Sequence, residues 1–178
     1  MYNHVLKFWF QESDASQWFR SDPAFDALVR QRFEPLLQQA ADGTLASWRS
    51  TAQGRLAEII VLDQFSRNVY RGTPQAFEQD EMAVQLAQAA VAQGALEVLT
   101  EVERNFLLMP FMHSESRAVH LQAEPLFKTY ASANTYQFEL KHKVIIDRFG
   151  RYPHRNEVLG RPSTQEEIDF LQQPGSGF

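Results

Sequence analysis

Apolar residues recur along this chain at the three- and four-residue spacing of an α-helix, and no stretch alternates with the period of two that a half-buried strand requires. Phe25, Leu28, Val29, Phe33, Leu36 and Leu37 set out one such face. It is opened by Ser21-Asp22-Pro23, an N-cap with proline at the first helical position, and closed by Asp42-Gly43. Val5, Leu6, Phe8, Trp9 and Phe10 mark an apolar first helix, and Leu56, Ile59, Ile60, Leu62 and Phe65 a later one. Thr73-Pro74 opens a helix through Phe77, Ala83, Leu86, Ala87, Ala90 and Val91, which Gly94 stops. Thr100 with Glu103, and Thr164 with Glu167, spell capping boxes. Pro110 is expected to break its helix, Ser114 to cap the next, and Pro125 to lie at a bend or early in a helix. Residues 134–149 read as one long helix. The count is about seven or eight helices joined by short turns, so the expected class is all-α.

A length of 178 residues suits one domain, here 1–173, with a short tail at 174–178. The apolar fraction of 44% is ample for a core. Cysteine is absent, which excludes disulfides, thiolate nucleophiles and thiolate metal sites. The opening MYNHVLKFWFQESD lacks the pattern of a signal peptide, and no uncharged apolar run approaches ~20 residues, so a cytoplasmic chain without a membrane partner is expected. A net charge of −5 argues against nucleic acid as a partner. Against that background, residues 141–161 hold six Lys and Arg to two Asp and Glu, a local basic cluster suited to a small anion.

The ten residues 62–71 (LDQFSRNVYR) align without gaps on 146–155 (IDRFGRYPHR), sharing Asp, Phe, Arg and Arg at an offset of 84. Such an echo fits pseudo-symmetric copies or a stack of helical pairs. Both copies contain Asp-x-x-x-Arg, as Asp63/Arg67 and Asp147/Arg151, a spacing that lets a helical carboxylate pair with a guanidinium one turn on. One reading is a helix-end ion pair that fixes the following turn. The other is that the acids orient arginines whose remaining donors face a cleft and clamp an anion. Arg71 lies before Gly72-Thr73-Pro74, where a helix start offers further N–H donors; Thr73 reads more simply as a cap. In Tyr152-Pro153-His154-Arg155-Asn156 the proline holds Tyr152 out of helical geometry, and an imidazole among guanidiniums is expected to stay neutral, as a general base must. Asn156 capping a short turn over a packed His154 is the alternative. His113 with Glu115 forms a possible polar pocket floor, and His120, two helical turns on, is too distant to share one metal with it. Ser114 lacks nucleophile-elbow glycines, and no phosphate-cradling glycine pattern appears.

Three phrases, LDQFSRNVYRGTPQAFEQD at 62–80, ERNFLLMPFMHSES at 103–116 and IIDRFGRYPHRNEVLGRPSTQEEIDFL at 145–171, resemble a bacterial family known as domain of unknown function 924. KFWF near the start and PGSGF at the end look like that family's ends. The resemblance implies a tetratricopeptide-like stack of helices in antiparallel pairs. It implies no settled activity, cofactor or catalytic residue.

The expected site therefore gathers Asp63, Arg67, Arg71, His113, Asp147, Arg151, His154, Arg155, Asn156 and Arg161 around a small ligand bearing phosphate or carboxylate. His154 and His113 are the acid–base candidates, no metal or cofactor is called for, and turnover is left open. A module that holds a peptide or carboxyl terminus in a helical groove, and a purely structural arginine network, are the alternatives.

Overall fold

In the computed structural model, which describes residues 2–177, there is no strand among the described residues, and eight helices reach seven residues or more when each is counted with the π-helical turn continuous with it. The first, α1 (Asn3–Lys7), runs directly into a widened π-helical stretch, Phe8–Glu12. After the short α2 (Ala15–Trp18) comes α3 (Pro23–Ala41), whose first N–H groups, those of Ala24 and Phe25, donate to the Asp22 side chain. The next helix, α4 (Ala52–Ile60), also widens into a π-helical turn, Val61–Phe65, before α5 (Ser66–Val69). Then follow α6 (Asp80–Ala92), α7 (Ala95–Val98), α8 (Glu101–His113), α9 (Arg117–Tyr130), α10 (Ala133–Phe149) and α11 (Gln165–Leu171).

Short connections bring sequential helices together, α8 on α9 and α9 on α10, and α4 packs on α6 across the intervening turns. The all-α helical stack that the periodicity predicts is what forms. Both capping boxes, at Thr100/Glu103 and Thr164/Glu167, are present with reciprocal hydrogen bonds. Gly94 (φ 74°) and Gly150 (φ 70°) sit in the left-handed region expected where a helix stops.

Three boundaries differ from expectation. Pro110 does not end its helix: α8 continues to His113, because Phe106 to Met112 are buried on every side and that packing outweighs one lost N–H. Ser114 lies just past α8, and Ser116 caps α9 instead. Thr73-Pro74 opens only a 3₁₀ turn, Pro74–Phe77, with the Thr73 hydroxyl donating to Tyr70 O, and α6 starts afresh at Asp80.

The main core is aromatic. Phe8 meets Phe25, Phe33 and Phe65 with ring centroids 4.9–6.0 Å apart, and Trp9 meets Phe65 and Phe106 edge-on. Each such fully buried side chain contributes roughly 1.5–3 kcal/mol. A second, smaller cluster of Ile145, Ile146 and Tyr152, flanked by Phe149 and Phe170, lies under the C-terminal segment. No helix among the described residues is long and apolar enough to cross a membrane.

Candidate functional site

The π-helical turn at Val61–Phe65 sets Asp63 inside the molecule with its side chain 1% exposed. Widening a helix by one residue per turn re-aims side chains, and such turns often occur at functional sites. Asp63 Oδ1 lies 2.7 Å from His113 Nδ1 and 3.1 Å from an Arg67 terminal nitrogen, while Gln64 Nε2 donates to Oδ2 at 2.6 Å. Burial pushes the Asp63 carboxyl up, but His113 and Arg67 outweigh it and hold it well below the usual carboxylate range. An ionised Asp63 can only accept, so Nδ1 of His113 carries the proton. Burial, reinforced by Arg67, pulls the His113 imidazole down and keeps it neutral near pH 7. Its Nε2 is then a bare lone pair without a protein partner among the described residues, on a ring whose side chain is 17% exposed.

Two arginines 88 positions apart meet beside this dyad. Arg67 grips both Asp80 carboxylate oxygens at 2.8 and 3.0 Å, and Arg155 reaches Asp80 Oδ2 at 3.2 Å and the His113 carbonyl at 3.0 Å. The guanidiniums lie 5.6 and 4.6 Å from the Phe77 ring centre. Asp63, Asp80, Arg67 and Arg155 carry two charges of each sign, so the cluster is neutral overall. Arg155 Nε is buried without an acceptor among the described residues.

The remaining expected residues divide. Arg161 grips Glu115 at 2.7 and 3.0 Å and bonds Asn156 Oδ1, and Glu115 also accepts the Tyr152 backbone N–H at 2.7 Å. Glu115 thus serves the C-terminal segment and is not a partner of His113. Arg151 pairs with Glu167, at 2.7 and 2.8 Å, rather than with Asp147. Asp147 is exposed and pairs with Lys143. Arg71 lies outside this cluster and holds Asp26, beside Asn68 and Arg30, at a surface cleft of about 310 Å³. His154 is half-buried against Tyr152, and burial together with Arg155 pulls it down to about 4. His113 and His120 lie on different helices, α8 and α9. Among the described residues no group of three or more His, Asp or Glu is placed to hold a metal ion.

Sequence reasoning does not single out Asp80 or Gln64, and it reads Tyr152 only as a backbone position before Pro153. Asp80 reads from sequence as an ordinary acid in a helix's first turn. Nor did it find a second buried acid–base pair, in which His120 Nδ1 lies 2.7 Å from Glu139 Oε1 and His120 Nε2 lies 2.8 Å from Ser114 O. Burial pushes the Glu139 carboxyl up, and its Oε2 has no partner among the described residues. Tyr152, whose hydroxyl donates to Met112 O, sits over His120 and His142 with ring centroids at 6.5 and 5.7 Å.

No curated protein matches the chain at a significant level. A solved structure described as a protein of unknown function, ATU0120 from Agrobacterium tumefaciens, is 33% identical and superposes with a TM-score of 0.91 over 96% of each chain. Residues 5–175 match the family described as bacterial protein of unknown function (DUF924). The match spans nearly the whole sequence and includes Asp63, Arg67, Asp80, His113 and Arg155, so the chain belongs to the DUF924 family.

Proposed function

We propose that the chain binds a small ligand bearing a carboxylate or phosphate at the cluster of Arg67, Asp80 and His113, with His113 Nε2 able to take or give a proton there. The observation that carries this reading is the buried Asp63 fixing a neutral His113 through Nδ1 at 2.7 Å, beside two converging guanidiniums. A carboxylate that orients an imidazole and leaves its other nitrogen bare is the arrangement of a general base. Because Asp80 already engages both arginines, an incoming anion must exchange with Asp80 or use the outer edge of Arg67, whose side chain is 19% exposed.

The test is thermal unfolding with inorganic phosphate, sulfate, acetate or malonate against chloride at equal ionic strength. A probe at 100 times its dissociation constant adds ~2.7 kcal/mol, or a rise of roughly 5–11 °C for a chain of this size. Arg67→Met and His113→Gln are expected to abolish the rise. If no probe exceeds chloride, or both variants respond like the parent, the reading fails.

A second reading, a structural arginine network, is favoured by one fact: Arg67, Arg71, Arg151, Arg155 and Arg161 each hold a carboxylate. On that reading Arg67→Met lowers the melting temperature sharply and phosphate makes no difference in either protein.

A further inference from the structure

We propose that residues 150–177 form a strap that opens from the helical body on mild acidification, with the histidine-lined seat of Tyr152 as its sensor. The strap begins at the left-handed Gly150 and carries Tyr152, His154, Arg155, Arg161 and α11. Its apolar hold on the body is one small cluster, separate from the main core, in which Tyr152 and Phe170 pack on Ile145, Ile146 and Phe149 of α10; its other ties to the earlier helices are polar. Arg155 bonds Asp80 and His113 O, Arg161 and the Tyr152 N–H bond Glu115, and the Tyr152 hydroxyl bonds Met112 O. Segments held by few apolar contacts open at lower free energy than the core.

The groups facing the seat come from every element around it. These are Arg67 from α5, Asp80 from α6, His113 from α8, Glu115 from the α8–α9 turn, His120 from α9, and Glu139, His142 and Lys143 from α10. The strap itself brings His154, Arg155 and Arg161. Burial, with Arg155 nearby, pulls His142 to about 3 and His154 to about 4. Both lie under or within the strap, so opening returns them toward the ordinary value of ~6.5.

A histidine whose closed-state pKa is depressed contributes fully above ~6.5, and its contribution is lost as pH falls from there toward the closed-state value. Opening therefore takes up protons between about pH 6.5 and 4. Glu115, lowered by Arg161 and the Tyr152 N–H against the pull of burial, weakens the strap in the same direction at still lower pH. Glu139 is raised by burial and runs the other way, but it lies on α10 and pairs with His120 of α9, both outside the strap.

Hydrogen exchange of the full chain from pH 7.5 to 4.5, corrected for the intrinsic rate, tests this without any ligand. Strap amides are expected to open on the order of 10²–10³-fold more often at pH 4.5 than at 6.5 while α3 stays protected. His142→Gln is expected to remove about half of that rise on a logarithmic scale, with the exposed His4→Gln as control. Glu115→Gln is expected to raise strap exchange already at pH 7.5 with α3 unaffected. Flat strap exchange across the range, loss of α3 and strap together at every pH, or parental steepness in His142→Gln overturns the proposal. Because ligand-free chain is used, these outcomes leave the ligand reading untouched.

Discussion

Asp63 and Asp147 have the same spelling around them, and their fates differ because one is buried and the other is not. Asp63 is 1% exposed and pairs with Arg67 one turn on, as the Asp-x-x-x-Arg spacing allows. Asp147 is 46% exposed and takes Lys143, so its echo partner Arg151 is left to Glu167. The motif was legible in the sequence; which copy would be swallowed by a π-helical turn was not, because that depends on packing against α3. Asp63→Asn removes one of the two buried carboxylates that hold Arg67 and leaves Asp80 as the other, and breaking such a buried pair costs roughly 3–5 kcal/mol, readable in urea unfolding. The same variant is expected to lower the His113 pKa further, since burial and Arg67 still push it down and Asp63, the stronger of the two acids pulling it up, is gone. Imidazole resonances followed through a pH titration give the direction, and a rise in the variant contradicts the dyad.

Helix starts and stops were the most readable elements, because Thr100/Glu103, Thr164/Glu167, Asp22-Pro23 and Gly150 act through local backbone chemistry. Where tertiary packing decides, as at Pro110 or in the two widened turns, one-dimensional spacing carries no signal. Two glycines make this contrast measurable. Gly150 stands at φ 70° with only ordinary contacts around an added methyl, so Gly150→Ala is expected to cost about 1 kcal/mol from backbone conformation alone. Gly54 lies inside α4, where alanine is the better helix former by about 1 kcal/mol. Yet a Cβ there falls 2.0 Å from Trp48 O, a backbone atom that cannot step aside. Gly54→Ala is therefore expected to destabilise by roughly 1–3 kcal/mol in a denaturant series, against its propensity.

Across the whole molecule, the expectation that segments 84 positions apart converge turns on a residue outside both copies. Arg67 and Arg155 do meet, but on Asp80, which the break between the 3₁₀ turn and α6 places between them. The carboxylate in the clamp belongs to the protein, and it ties the α4–α6 region to the C-terminal segment. This arrangement was illegible in the sequence because the basic cluster announces itself by excess charge, whereas the acid answering it is one of many. Asp80→Asn leaves the two neighbouring guanidiniums with Asp63, which pairs with Arg67 and not with Arg155, as the remaining carboxylate of the cluster. The expected loss is roughly 3–5 kcal/mol, because the desolvation of the remaining charges is no longer offset. The vacated position has the donors and the charge to take an external anion. Sulfate or phosphate at about ten times its dissociation constant then returns ~1.4 kcal/mol, a rise of roughly 3–6 °C in the melting temperature of Asp80→Asn. Acetate, which matches the lost side chain, is expected to act in the same sense. A response no larger in Asp80→Asn than in the parent protein means that the two arginines do not form an anion site even when emptied, and that Asp80 serves packing alone.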